Sequence, residues 1–233
     1  MQCEQTDMNS SINNIKAMLF DLDGTLIDSV PVYYRLMEHI LEIVGLPQAP
    51  KSLVAEFMTG GLGVLERMIP EEMKDRKEVL INECITIGRK LSQNVFDNEV
   101  HLFNGVKELF EELTRRKILI GIVSSTDKRN MERKLAPLVR NGVRDALDMV
   151  IGIGDVSKKK PEPDPLLECA RRLAVEPKAC VYVGDSRVDI QAGRNAGMMT
   201  IGVLTGVDDY ITLHKEEPTM ILESVHNIRS LFY

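Results

Sequence analysis

Asp21 and Asp23 stand two residues apart in Phe20-Asp21-Leu22-Asp23-Gly24-Thr25-Leu26-Ile27-Asp28-Ser29, directly after the short apolar segment Ala17-Met18-Leu19-Phe20. If that segment is a buried strand, both carboxylates emerge at its C-terminal end, where open α/β sheets take their ligands. Acids placed this way can converge on one phosphate and one metal, with a carboxylate as the nucleophile. Far downstream, the apolar run Ala179–Val183 leads into Gly184-Asp185-Ser186-Arg187-Val188-Asp189. Asp185 has the chemistry to complete an oxygen-rich octahedron with Asp21, which suits Mg2+. Asp189 follows four residues later, one helical turn on, so the two side chains can face the same way.

The elements that must position these acids are visible as hydrophobic runs. Lys16–Phe20, Ile118–Val123, Met149–Ile153, Ala179–Val183 and Met199–Leu204 are short, apolar and rich in β-branched residues, and read as buried strands. Amphipathic helical spacing lies between them: Val106, Leu109, Phe110 and Leu113 recur at i, i+3, i+4 and i+7, and Leu166, Ala170 and Leu173 repeat the pattern. Such alternation predicts an α/β fold, a doubly wound parallel sheet with its ligand site at the C-terminal strand ends. The second strand runs into Ser124-Ser125-Thr126-Asp127, read as a hydroxyl-rich helix start. Lys158-Lys159-Lys160-Pro161-Glu162-Pro163-Asp164 sets a lysine before the rigid beginning of another helix.

One interval breaks the alternation. From about Ser29 to about Val100 the chain carries helical signals and no convincing strand. Ser29 with Pro31 marks a helix start, Leu36, Ile40 and Val44 continue one face, and Met73, Leu80, Cys84, Ile87 and Leu91 form a second pattern. The stretch Met58-Thr59-Gly60-Gly61-Leu62-Gly63 between them reads as a glycine-rich loop. The expected organisation is a catalytic core from residues 1–29 and 99–233 with a helical domain inserted at residues 30–98, hinged at Asp28–Pro31 and Asn98–Gly105. Arg67 and Lys74 in the insert are read first as surface charge.

Taken in order, the DxDGT string, the Ser124 segment, Lys160 and GDxxxD resemble the four motifs of the haloacid dehalogenase-like (HAD) superfamily, over roughly residues 16–205. The resemblance is to the phosphoglycolate phosphatase and β-phosphoglucomutase-like branch, which carries a cap domain between its first and second motifs. It implies a Rossmann-like core and a Mg2+-dependent phosphatase that hydrolyses a small phosphorylated metabolite through an aspartyl-phosphate. A β-phosphoglucomutase-like sugar phosphomutase is the alternative, and a phosphate-binding scaffold without turnover a third reading. The resemblance makes Asp21 the nucleophile and Asp23 the general acid, whose backbone carbonyl also reaches the metal. Asp185 becomes a direct metal ligand and Asp189 a partner of the metal, through water or as support. Ser124 and Lys160 would bind the phosphate, and the backbone N–H groups at Gly24 and Thr25 would reach the transferring oxygens. Ser125 stands where many members have Asn, so its side chain is left open between phosphate contact and capping of the next helix.

Composition bounds the rest. At 233 residues, 44% hydrophobic and 27% charged, the chain suits one large globular domain or a core with an insert. A net charge of −6 argues against nucleic acid or an anionic membrane surface as partner. No apolar run approaches a membrane span, and the first fifteen residues lack a basic start followed by an apolar core. Cys3, Cys84, Cys169 and Cys180 have no paired spacing and read as reduced thiols of a cytoplasmic protein. The expected partner is a small-molecule substrate, with the protein a monomer or homodimer. The four histidines show no ligand spacing.

Overall fold

The segment β1 (Ala17–Phe20) is buried at every residue, as a central strand covered on both faces must be. The computed structural model describes residues 14–233; Cys3 and the tail before Asn14 lie outside the described residues. In chain order β1 is followed by α1 (Val30–Val44), α2 (Lys51–Gly60), α3 (Lys77–Asn98), α4 (Val106–Arg115), β2 (Leu119–Asp127), α5 (Lys128–Lys134), α6 (Ala136–Arg140) and β3 (Met149–Ile153). Then come α7 (Asp164–Arg172), β4 (Cys180–Gly184), α8 (Arg187–Asn195), β5 (Met199–Val203), α9 (Tyr210–Lys215) and β6 (Met220–Leu222).

The strands form one six-stranded parallel sheet in the order β3-β2-β1-β4-β5-β6, the expected α/β fold with a Rossmann-like core. Ala17 pairs with Leu119 on one side and with Cys180 on the other. The strand order therefore reverses at β1, and the crevice between the ends of β1 and β4 is the topological switch point. Beside the sheet, Ala17, Leu19, Val123, Ile151, Leu166, Cys169, Ala170 and Tyr182 share one core. The α4 stripe predicted from sequence is buried at Val106, Leu109, Phe110 and Leu113.

The chain divides into two compact units, one built from the residues up to Asp28 together with His101–Tyr233, the other from Ser29–Val100. In the first unit the two crossing points lie side by side. Ile27 bridges Leu102 antiparallel, Asp28 N–H donates to the His101 carbonyl at 2.9 Å, and Phe103 N–H donates to the Leu26 carbonyl at 3.0 Å. The second unit has its own core, including Met37, Ile40, Leu41, Val54, Leu65 and Leu80. Its α1 ends at Gly45, whose φ of 76° places it in the left-handed region that stops helices. Arg67 is paired with Glu56, and Lys74 with Glu71.

Three local expectations are corrected. The second strand does not stop at Val123: it continues through Ser124-Ser125-Thr126 to Asp127, with a register shift against β3 between Val123 and Asp127. Asp127 caps α5, its carboxylate accepting from the N–H groups of Arg129 and Asn130, so the helix starts later than the hydroxyls suggested. The Gly60–Gly63 stretch is not a loop, because Gly60 closes α2 and Gly61 begins a 3-10 turn through Met68. The sixth strand, only three residues long, lies past the last apolar run recognised in the sequence.

The C-terminus of the first unit is tied down through Glu112 on α4. Its carboxylate accepts from Arg115 at 2.6 Å and Arg116 at 2.5 Å, and Arg116 in turn donates to the Phe232 carbonyl at 2.7 Å. These guanidinium bonds, Arg115's first, pull Glu112 down from 4.5 to about 2. A depressed carboxylate stabilises the fold above its unfolded value and loses that contribution as pH falls through its folded value. Comparing Glu112→Gln with the unaltered chain in thermal melts, the melting-temperature advantage of the glutamate should be full near pH 6 and shrink between about pH 4.5 and 2. An advantage independent of pH over that window would remove the charge-based account.

Candidate active site

The sheet ends deliver the acids. Asp21 N–H donates to the Val183 carbonyl at 2.8 Å, extending the β1–β4 pairing by one step and setting Asp21 beside the end of β4. Asp185 follows that end directly and is packed against backbone. A Cβ on Gly206 would lie 1.8 Å from Asp185 Oδ2, and one on Gly24 2.6 Å from it, so both positions require glycine for close approach. Gly184 is confined in the same way, with Asp189 Cβ 2.3 Å from where its own Cβ would be. Asp185 Oδ1 accepts from Thr25 Oγ1 at 2.9 Å and Oδ2 from Val207 N–H at 2.8 Å.

One ammonium gathers the rest. Lys160 Nζ lies 2.6 Å from Asp21 Oδ1, 2.7 Å from Asp189 Oδ1, 2.9 Å from Tyr182 Oη and 3.2 Å from the Val123 carbonyl. Tyr182 Oη donates onward to Asp189 Oδ1 at 3.0 Å. Ser186 caps α8 and shares a capping box with Asp189, donating its hydroxyl to Asp189 Oδ2 at 2.5 Å. Both oxygens of Asp189 are therefore engaged by protein donors. Asp23 stands apart from this group, ion-paired with Lys134 of α5 at 2.5 Å.

The electrostatics of the cluster ask for more positive charge than the protein supplies. Asp21, Asp185 and Asp189 are buried and each offers an oxygen within 4.8 Å of the others. Three carboxylates against one ammonium leave two negative charges when all are ionised. Burial, then the negative charges of Asp189 and Asp23, raise Asp21 to about 7 despite the opposing pull of Lys160. Burial likewise lifts Asp185 well above the ordinary aspartate range, helped by Asp189 and Asp21. Burial opposes the charge on Lys160, yet Asp189 and Asp21 hold its pKa well above the ordinary lysine value. A hard divalent cation taking oxygen ligands fits this donor set and its charge.

Of the residues singled out from the sequence, Asp21, Lys160, Asp185 and Asp189 come together, with Thr25 holding Asp185 from behind. Ser124 directly follows Val123, whose carbonyl Lys160 touches, and its hydroxyl donates to Thr126 Oγ1 at 3.0 Å. Ser125 lies half-buried in β2. Gly24, at a φ of 77°, spends its N–H on the Ile27 carbonyl at 2.9 Å and accepts from Thr205 Oγ1 at 2.7 Å. Sequence reasoning passed over Tyr182, Lys134 and Gly206. A tyrosine two residues before Gly-Asp, in a run otherwise apolar, was the available signal for the first.

Comparison with known proteins identifies the family. The family model described as haloacid dehalogenase-like hydrolase matches residues 18–203. The phosphoglycolate phosphatase of Salmonella choleraesuis (strain SC-B67) is 30% identical over 236 residues, 93% of this chain and 92% of that protein. The phosphoglycolate phosphatase of Escherichia coli (strain K12) is 29% identical over 238 residues, 94% and 93% of the two chains. Among solved structures, a predicted phosphoglycolate phosphatase from Haemophilus somnus 129pt superposes with a TM-score of 0.82 at 24% identity, over 94% of this chain and 99% of that one. A β-phosphoglucomutase from Clostridium difficile does so with a TM-score of 0.72 at 22% identity, over 94% and 97%. At those identities the structural likenesses speak for the fold. The chain belongs to the haloacid dehalogenase-like hydrolase family. It is an enzyme of that hydrolase class.

Gly206→Ala is expected to force Asp185 or its own loop to move, lowering stability by about 1–3 kcal/mol as overpacking does. Urea unfolding measures it, and a loss below about 0.5 kcal/mol would mean that the loop yields freely.

Proposed function

We propose that this hydrolase is a Mg2+-dependent phosphatase that cleaves a small phosphorylated metabolite, of the phosphoglycolate type, through an aspartyl-phosphate on Asp21. The observation that carries the reading is the buried Asp21 carboxylate at the switch point, 2.6 Å from the Lys160 ammonium and within 4.8 Å of Asp185 and Asp189. Phosphoryl transfer asks for a placed nucleophile, neutralised equatorial oxygens and a proton for the leaving oxygen. Asp21 attacks phosphorus as the ester oxygen departs, and Asp23, two residues on, gives that oxygen its proton. Asp23 then takes a proton from the water that attacks the phosphorus of phospho-Asp21, and phosphate and free Asp21 are restored. Lys160 and the Ser124 hydroxyl steady the phosphoryl oxygens while Asp189 and Tyr182 keep Lys160 in place.

Asp21, Asp185 and the Asp23 backbone carbonyl would hold the cation, with Asp189 contributing charge and support. Bound there, Mg2+ supplies charge neutralisation at the transferring phosphoryl group. The inserted helical unit, read over residues 30–98 with the core at 1–29 and 99–233, would serve as a cap. Closure of such a unit excludes water and adds substrate-selecting groups. Hydrolysis is preferred over mutase chemistry because the relatives at 29–30% identity are phosphatases, whereas the β-phosphoglucomutase likeness lies in the fold.

Phosphate release from a panel of phosphomonoesters with Mg2+ tests the reading. Turnover should fall by at least about a thousandfold in Asp21→Asn, as when a covalent nucleophile is removed, and disappear with EDTA. Asp21→Asn within tenfold of the unaltered enzyme would exclude the covalent route.

A further inference from the structure

Lys134 has no part in the chemistry described so far, yet its ammonium lies 2.5 Å from Asp23 Oδ2. The side chains are 13% and 17% exposed, so the pair is largely withdrawn from water but not sealed. Lys134 ends α5, which follows β2, while Asp23 lies on the loop after β1. On the mechanism proposed above, the two cations of the site would face different parts of a bound ester. Lys160 is on the phosphate side, gathered with Asp21 and Asp189. Lys134 is on the leaving-group side, because that is where a proton donor such as Asp23 must be.

That side is unfriendly to a negative leaving group. The neighbouring cluster already sets three carboxylates against one ammonium. An ester whose alcohol carries a carboxylate close to the bridging oxygen would bring further negative charge beside Asp23. A lysine ammonium has three donors on a flexible four-carbon stem, so it can turn from one carboxylate toward a neighbouring one. With little water around it, such a pairing is charge-assisted and strong.

Resting on the phosphatase reading above, we propose that Lys134 is a specificity-determining residue that recognises a carboxylate on the leaving group. It therefore favours phosphate esters of short hydroxy acids over esters of neutral alcohols. Discrimination comes from a core residue beside the proton donor, whatever the inserted unit adds.

A matched pair of esters tests this: phosphoglycolate and 2-hydroxyethyl phosphate, which differ by carboxylate against hydroxymethyl. The ratio of their kcat/KM values is compared in the unaltered enzyme, Lys134→Met, Lys134→Arg and the exposed-site control Lys178→Met. Losing a hydrogen bond between charged groups should shrink the ratio about 10- to 100-fold in Lys134→Met, chiefly through the KM of phosphoglycolate. Lys134→Arg should recover part of it and Lys178→Met should keep it whole. The dissociation constants of the two esters, measured by calorimetry in Asp21→Asn with and without Lys134→Met, should show the same loss of selectivity. If both esters weaken equally, Lys134 merely positions Asp23 and the inference is overturned; an unchanged ratio overturns it too. If the unaltered enzyme hydrolyses no ester, the phosphatase reading fails, and the calorimetric ratio still decides for or against Lys134.

Discussion

Everything in the core unit is arranged around the mutual repulsion of three buried carboxylates. Asp21, Asp185 and Asp189 are held within 4.8 Å of one another, where low dielectric makes like charges expensive. Lys160 offsets part of that cost by touching Asp21 and Asp189 together. The remainder is met locally, by Thr25 and Val207 donating to Asp185 and by Ser186 and Tyr182 donating to Asp189. A site built this way has a large appetite for a cation or for the hydrogen-bond donors that stand in for one. Its donors are fixed before any ligand arrives, which is the arrangement that avoids reorganisation during reaction.

The sheet explains how acids so far apart in the chain are kept together. Strands β1 and β4 are neighbours in register, and the Asp21–Val183 bond prolongs that register into the site. Asp21 and Asp185 each sit just past a rigid strand, and Lys160 arrives from the connection after β3. The positions that look empty are part of the same construction. Gly24, Gly184 and Gly206 leave room for carboxylates where any side chain would collide with them.

Much of this was legible because it is written in short strings placed after apolar runs. Phe20-Asp21-Leu22-Asp23-Gly24-Thr25, Lys160-Pro161 and Gly184-Asp185 each join a residue that can do chemistry to a strand or helix boundary, and the parallel sheet follows from the alternation around them. What escaped the sequence depends on partners distant in the chain. Lys134 and Asp23 are separated by 111 positions, and a lysine in the last turn of a helix is ordinary in itself. Tyr182 between Val181 and Val183 reads as core filling until Lys160 is seen at its hydroxyl. Gly206 gains meaning only from the Asp185 oxygen pressed against it. The hydroxyl run at Ser124 misled because its residues suit a helix start and a strand end alike, and the stronger cap, Asp127, decided the boundary.

The side-by-side crossing at Ile27 and Leu102 also sets an order of events during synthesis. Ala17 must find Leu119 and Cys180, so the strand that leads to Asp21 leaves the ribosome long before either neighbour exists. Residues Ser29–Val100 have a core of their own and can pack in that interval, since segments with local contacts fold as they emerge. The Asp28–His101 and Phe103–Leu26 bonds then close a loop of some seventy residues, and prior packing of that loop would lower the entropy cost of closing it. An insertion that packs early would in that way serve as a splint for the sheet whose sequence it interrupts.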